Sequence, residues 1–120
     1  MYSYDRRAAM IAPPTQDQAK GFARDILTAW AARARGKNPR MDWDMFSGEA
    51  QLYLSRSLSG DPTHNVQLRY NKKRAKWDCQ IHTMTPGGWI FTKDFSVPAS
   101  MDAREVADII VRFTRHWVEE

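Results

Sequence analysis

The sequence contains a single cysteine, Cys79, among its 120 residues. One thiol excludes an intramolecular disulfide, and it leaves a cysteine-based zinc site without the partners that such a site needs. A chain with so little cysteine is typical of a reducing compartment. We therefore expect a cytoplasmic protein whose fold depends on its hydrophobic core rather than on cross-links.

Long hydrophobic runs are also absent. The longest uninterrupted apolar run covers residues 8–12, and Pro13 and Pro14 follow it directly. A helix that crosses a bilayer needs roughly 20 apolar residues. The charged residues near the N-terminus are not followed by a segment long enough for a secretory signal. The sequence therefore predicts neither a transmembrane helix nor a membrane partner.

Motifs for catalysis and metal binding are missing as well. His64, His82 and His116 are scattered, so no two histidines have the helical spacing of a zinc site. No Gly-x-Ser-x-Gly or cysteine–histidine signature marks a nucleophile, and Thr85–Gly88 lacks the lysine of a phosphate-binding loop. We expect no catalytic residue, no metal site and no cofactor, and therefore no enzymatic function.

The composition is that of one ordinary globular domain. The hydrophobic fraction is 42%, and five tryptophans, five phenylalanines and four tyrosines are available to fill a core. Residues 1–12 show no sustained hydrophobic period and precede two prolines. We expect a flexible N-terminal arm over residues 1–12 and a single α+β domain over residues 13–120.

Helical periodicity marks both ends of the predicted domain. Thr15 and Gln18 have the spacing of a capping box, and apolar residues then recur every three or four positions as far as Gly36. A second helix is expected after Ser100, which is a suitable N-cap residue. Its apolar stripe consists of Ala103, Val106, Ile110, Phe113 and Trp117.

Between the helices, strand-forming segments alternate with turn-forming residues. The predicted strands are Met41–Phe46, Gln51–Leu58, Asn65–Asn71, Lys76–Met84 and Trp89–Ser96. Residues 47–50 also fit the start of a short helix, so the second strand is left open. The expected fold is α+β, with an N-terminal helix, an antiparallel sheet of three to five strands and a C-terminal helix packed on the sheet.

A β-hairpin is predicted around residues 72–75. Pairing across this turn matches apolar residues with apolar ones, and a slip by one residue would place them opposite polar groups. The predicted pairs are Val66 with Ile81, Leu68 with Cys79, Tyr70 with Trp77 and, on the other face, Arg69 with Asp78. Tyr70 and Trp77 are therefore expected in the core rather than free to stack on bases.

The last strand has two candidate registers, which assign its aromatic residues to opposite faces. With a four-residue turn before it, Trp89, Phe91 and Phe95 lie on an uncovered face of the sheet. Arg69 and Lys93 then flank them. With a five-residue turn, the three aromatics enter the core. Aromatics between cations on an open sheet face are typical of proteins that bind single-stranded nucleic acid, so the register bears on function.

The net charge of +4 is unevenly distributed. Residues 63–77 contain five basic residues and no acidic one, whereas residues 78–120 contain four basic and seven acidic residues. Clustered cations attract phosphates even when the total charge is modest. The cationic segment coincides with the predicted hairpin turn.

We therefore expect a small nucleic-acid-binding domain. It would bind single-stranded DNA or RNA, or bind nucleic acid without sequence specificity, and it would contact the phosphates through a basic β-hairpin. The expected contacts are Arg69, Lys72, Lys73, Arg74, Lys76, Trp89, Phe91 and Lys93. A second basic group consists of Arg6, Arg7, Arg33, Arg35, Lys37 and Arg40. The alternative is a protein-interaction module, such as an adaptor, chaperone or inhibitor, that forms a homodimer or binds a protein partner through an aromatic face. That face would use Trp43, Trp89, Phe91 or Trp117.

Overall fold

The computed structural model describes residues 12–58 and 60–119, with side chains as far as Thr114. Its elements are α1 (Gln16–Ala34), β1 (Lys37–Asp44), β2 (Glu49–Ser55), β3 (His64–Asn71), β4 (Lys76–Thr85), β5 (Gly88–Pro98) and α2 (Ala103–Glu119). The fold is α+β, as predicted, and the sheet has the largest number of strands expected. Apart from Ala12, the predicted N-terminal arm lies outside the described residues.

Helix α1 begins at the predicted capping box. The Thr15 hydroxyl accepts a hydrogen bond from the Gln18 amide at 3.1 Å, and the Gln18 side chain accepts one from the Thr15 amide at 2.9 Å. Both bonds satisfy amides that the start of a helix leaves unpaired. The helix ends where Arg35 adopts a left-handed conformation, with φ of 53°, and the Gly36 amide donates to the Ala31 carbonyl. The chain then enters β1 directly.

The strands form an antiparallel sheet in the order β1-β2-β3-β4-β5, so each strand pairs with its neighbours in sequence. In such a meander, consecutive turns lie at opposite ends of the sheet. The β1–β2 and β3–β4 turns share one end, which we call the basic end because it carries the cationic residues 72–76. The β2–β3 and β4–β5 connections share the other end, which we call the aromatic end because Trp89 and Phe91 lie there.

One face of the sheet is covered by the helices and forms the core with them. The buried apolar residues that the strands contribute are Ala50, Leu52, Leu54, Val66, Leu68, Trp77, Cys79, Ile81 and Val97. Alternate residues point the other way and form the outer face. The predicted β3–β4 register is confirmed, since Val66 lies opposite Ile81 and Tyr70 opposite Trp77. Trp77 also stacks on Phe22 of α1, with 4.9 Å between the ring centroids, so it belongs to the core as expected.

Neither predicted register holds along the whole of β5, because the β4–β5 pairing shifts by one residue next to His82. Between this shift and the turn, Phe91 lies opposite His82, as the four-residue turn predicts, so Trp89 and Phe91 are on the outer face. Beyond the shift, Phe95 lies opposite Cys79 and packs against the core. A β-bulge of this kind adds one residue to one strand and changes the alternation of faces. The three aromatics are therefore divided between the two faces.

Helix α2 begins after Asp102 rather than after Ser100. The Asp102 carboxylate accepts a hydrogen bond from the Glu105 amide at 2.9 Å, so Asp102 is the N-cap in place of the predicted Ser100. The two helices pack side by side, and Arg33 Nε lies 2.6 Å from Asp108 Oδ1 between them. Neither described helix is long and apolar enough to cross a membrane.

Candidate nucleic-acid interface

The turn between β3 and β4 presents the cations that the sequence assigns to phosphate binding. We call Lys72, Lys73, Arg74 and Lys76 the basic turn. Asn71 holds this turn, because its Oδ1 accepts hydrogen bonds from the amides of Lys73 at 3.1 Å and Arg74 at 3.2 Å. An asparagine in this role fixes the backbone of the residues that follow it. The basic turn is therefore a defined structure.

The four cations of the basic turn are exposed, and no carboxylate of the described residues forms an ion pair with them. Within the described residues, none of their nitrogen atoms lies within 4.0 Å of a carboxylate. The carboxylate of Asp78 is engaged elsewhere, since it accepts hydrogen bonds from Ser96 Oγ at 2.7 Å and from Asn71 Nδ2 at 3.2 Å. Uncompensated surface charge of one sign attracts ligands of the other. The basic turn thus keeps its charge available for an anionic ligand.

A second turn at the basic end exposes two apolar side chains. Met45 and Phe46 follow β1, and 95% of the Phe46 surface is exposed. The Asp44 carboxylate holds this turn by accepting hydrogen bonds from the amides of Phe46 at 2.9 Å and Ser47 at 3.4 Å. These amides lower the pKa of Asp44 below its ordinary value of 3.8. Gly48 completes the turn with φ of 69°, a left-handed conformation that glycine adopts without strain.

A hollow of about 250 Å³ lies between the two turns and the start of α1. Lys72 of the basic turn and Phe46 both line it, and Trp43 and Tyr70 contribute further aromatic surface. Among the described residues, no carboxylate lines this hollow. The two turns therefore bring a cation and aromatic rings to one concave surface.

Arg69 lies on the outer face near the basic end. Its cross-strand neighbours are Glu49 on β2 and Asp78 on β4. The three residues line a polar hollow of about 200 Å³ on this face. Arg69 is therefore close to the basic turn, but two flanking carboxylates offset its charge.

Trp89 and Phe91 lie at the aromatic end, far from the basic turn. Trp89 pairs with Met84, which follows Lys76 by eight residues on β4. Eight residues of a β-strand span about 26 Å. Both rings have aromatic neighbours on the outer face: Trp89 lies 6.3 Å from Tyr53 and Phe91 lies 5.8 Å from His82, measured between ring centroids. The structure thus brings the predicted aromatic contacts together with each other, but not with the cations of the basic turn.

Lys93 belongs to neither group. After the β-bulge it pairs with Ile81 on the side of the helices, and its Nζ lies 5.4 Å from the centre of the Phe113 ring of α2. A cation over an aromatic face is held there by the ring quadrupole. Lys93 therefore does not flank Trp89 and Phe91 on the outer face.

The second basic group does not extend the basic turn. Arg33 and Arg40 each lie within 4 Å of a carboxylate, at 2.6 Å and 3.7 Å respectively. Arg35 and Lys37 lie at the connection from α1 to β1, which is at the aromatic end. The side chains of Arg6, Arg7 and Trp117 lie outside the described residues.

The thiol of Cys79 lies on the core face of the sheet. Cys79 is buried, and burial, with a smaller effect of the Asp78 charge, raises the pKa of its thiol to about 12. A thiol in that state is a poor nucleophile near neutral pH. In the part of the chain that the structure describes, no three histidine, cysteine or acidic side chains are placed to hold a metal ion.

The sequence analysis does not predict Phe46 as a residue of this interface. It ends the predicted strand Met41–Phe46, where an aromatic residue suggests a packed position rather than an exposed one. The available signal was the run from Asp44 to Gly48, because aspartate, serine and glycine favour turns.

No protein-family model, curated protein or solved structure matches this chain.

Proposed function

We propose that this protein is a small nucleic-acid-binding domain that holds single strands, or strands of any sequence, by their phosphates at the basic turn. The observation that carries the proposal is the basic turn itself. It presents four exposed cations on a backbone fixed by Asn71, with no carboxylate in ion-pair range among the described residues. Phosphate contacts fix a protein on a strand without reading its sequence, which agrees with binding of low specificity.

The proposal predicts a strong dependence on salt, because each phosphate contact releases condensed counterions. For single strands, four contacts should make the logarithm of the association constant fall with a slope of about 3 against the logarithm of the salt concentration. The test is a titration of fluorescein-labelled single-stranded DNA, single-stranded RNA and duplex DNA at low and moderate salt. The triple variant Lys72→Ala, Lys73→Ala, Arg74→Ala should reduce the slope to about 0.7 and weaken binding by more than about tenfold.

A matched control removes the same amount of charge elsewhere. The variant Arg24→Ala, Arg104→Ala, Arg112→Ala changes three exposed helix residues, where alanine is well tolerated. It should keep most of the wild-type affinity and the wild-type slope. The proposal is wrong if the wild type binds no strand at low salt, or if the control loses as much affinity as the basic-turn variant.

The aromatic end supports a second candidate function, a homodimer that serves as a protein-interaction module. This end exposes a group of large apolar residues, which monomeric proteins usually keep scattered. They are Leu58, Met84, Trp89, Ile90 and Phe91. Sedimentation equilibrium tests this candidate. A dimer that is insensitive to salt and is lost in Phe91→Ser supports it, whereas a monomer at all concentrations contradicts it.

A further inference from the structure

We propose that Phe46 is the base-stacking residue of this interface, and that the preferred ligand is therefore single-stranded rather than duplex nucleic acid. The inference rests on the proposed function and adds a stacking contact to the phosphate contacts of the basic turn. A duplex keeps its bases stacked on one another, so it offers phosphates but not base faces. A single strand offers both.

The exposure of Phe46 is the first observation behind this inference. A phenylalanine that is 95% exposed adds almost nothing to the hydrophobic core, and large aromatic residues are usually buried. Its turn is nevertheless well defined, because the Asp44 carboxylate binds two of its amides and the Gly48 amide donates to the Asp44 carbonyl at 2.8 Å. The fold thus presents the Phe46 ring to solvent from a fixed position.

The position of Phe46 relative to the basic turn is the second observation. Phe46 and Lys72 line the same hollow, although they lie on different turns of the meander. One nucleotide brings a phosphate and a base together, and the hollow offers a cation and an aromatic ring for these two groups. No carboxylate of the described residues lines the hollow, and the nearby Asp44 carboxylate is engaged by the amides of Phe46 and Ser47.

The other exposed aromatics fit this role less well. Trp89 is about 26 Å from Lys76 along β4, too far for one nucleotide to reach both. Trp89 and Phe91 lie on the outer face of the sheet. Between its two ends, this face carries more carboxylates than arginines. The arginines are Arg40 and Arg69, and the carboxylates belong to Asp42, Glu49, Asp78 and Asp94.

An exposed phenylalanine beside lysines also fits the surface of an anionic membrane. The described residues favour nucleic acid, because a membrane-binding helix or loop needs a broad apolar surface. Here Met45 and Phe46 are the exposed apolar residues of their turn, and they adjoin a hollow that Thr15, Gln16 and Ser47 make partly polar. The lipid surface is therefore an outcome that the experiment must distinguish.

The experiment compares three fluorescein-labelled ligands of equal length: oligothymidylate, an abasic strand with the same phosphates, and duplex DNA. Wild-type protein should bind oligothymidylate most tightly. Phe46→Ala should lower that affinity about tenfold and leave binding to the abasic strand unchanged. The salt slope should stay at the wild-type value, because no charge is removed. Phe46→Trp should restore the affinity. The tryptophan fluorescence of this variant should change when oligothymidylate binds.

Two controls separate this inference from the function on which it rests. Leu58→Ala changes another exposed apolar residue at the opposite end and should leave all three affinities unchanged. If Phe46→Ala binds oligothymidylate like the wild type while the basic-turn triple variant does not bind, the stacking inference is wrong and the proposed function stands. If the wild type binds no strand, both fail. Phe46-dependent cosedimentation with phosphatidylserine vesicles in the absence of strand binding would replace both with a membrane function.

Discussion

The two ends of the sheet are built from the same antiparallel pairing but expose different chemistry. At the basic end, Asn71 and Asp44 each bind amides of a turn, and the turns present cations and one exposed phenylalanine. At the aromatic end, Tyr53 and Trp89 approach each other across β3 and β4, and Arg40 lies 4.6 Å from the centre of the Tyr53 ring. One end therefore exposes a run of cations beside one phenylalanine, whereas the other exposes aromatic rings with Arg40 beside them.

The difference follows from the topology of a meander. Each strand reverses direction, so turns that follow one another in sequence lie at opposite ends. The basic turn and the β4–β5 turn are only ten residues apart in sequence, yet the length of β4 separates them. Because the cations and the aromatics are close in sequence, they suggest a single composite site. In the structure, strand β4 separates them, so they form two surfaces.

The largest expected effect compares two tryptophans on paired strands. Trp77 is 4% exposed and stacks on Phe22, whereas Trp89 is 40% exposed on the outer face. Trp77→Ala should lower the free energy of unfolding by about 3–5 kcal/mol, because it leaves a cavity in the core. Trp89→Ala should lower it by only about 1 kcal/mol, because much of its surface is already in water. Urea denaturation of both variants measures these values.

Equal losses for the two tryptophan variants would contradict this division of the sheet. They would mean that the aromatic rings of the outer face form a second core rather than a surface that is free for a partner. Phe91→Ala serves as the reference for an exposed aromatic at the same end.

A smaller effect tests whether the basic turn is tuned for stability. Ala75 ends this turn in a left-handed conformation, with φ of 52°, which costs a non-glycine residue roughly 1–2 kcal/mol. Ala75→Gly removes that strain but adds freedom to the unfolded chain, so we expect a net stabilisation of about 0.5 kcal/mol. Urea midpoints measure the stability, and strand titrations should show no change in affinity. A loss of affinity would show that binding depends on the restricted backbone at Ala75.

The smallest effect concerns the turn that presents Phe46. The pKa of Asp44 is lower in the folded state, so its carboxylate stabilises the fold above the unfolded-state pKa, and this stabilisation is lost as pH falls through the folded-state pKa. Asp44→Asn can accept the same hydrogen bonds without titrating. Its stability should therefore fall less than that of the wild type between pH 7 and about pH 3. The effect is small because Asp44 is exposed to solvent, and unfolding midpoints across this range measure it.

The sequence predicts best those features that depend on local patterns. The capping box of Thr15 and Gln18 and the β3–β4 pairing follow from residue spacing, and the structure confirms both. Ser100 and Asp102 are both good N-caps, so spacing alone does not distinguish them, and the geometry of the chain entering α2 selects Asp102.

The β-bulge of β5 has no such local signal. A bulge needs no glycine or proline, and the residues between Phe91 and Phe95 are ordinary strand residues. A register inferred from one turn is therefore extended along the whole strand, which assigns all three aromatics of β5 to one face. Packing of Phe95 against Phe113 of α2, with 5.9 Å between centroids, is a tertiary contact that the strand pattern does not contain.

The β-bulge also affects how the sheet ends. β5 is an edge strand of eleven residues, and an edge of that length offers unpaired backbone groups on which another chain can add a strand. A bulge bends such an edge, and a lysine on it opposes the approach of a second strand. The bulge beside Lys93 therefore makes this edge a poorer template for an added strand than a flat edge of the same length.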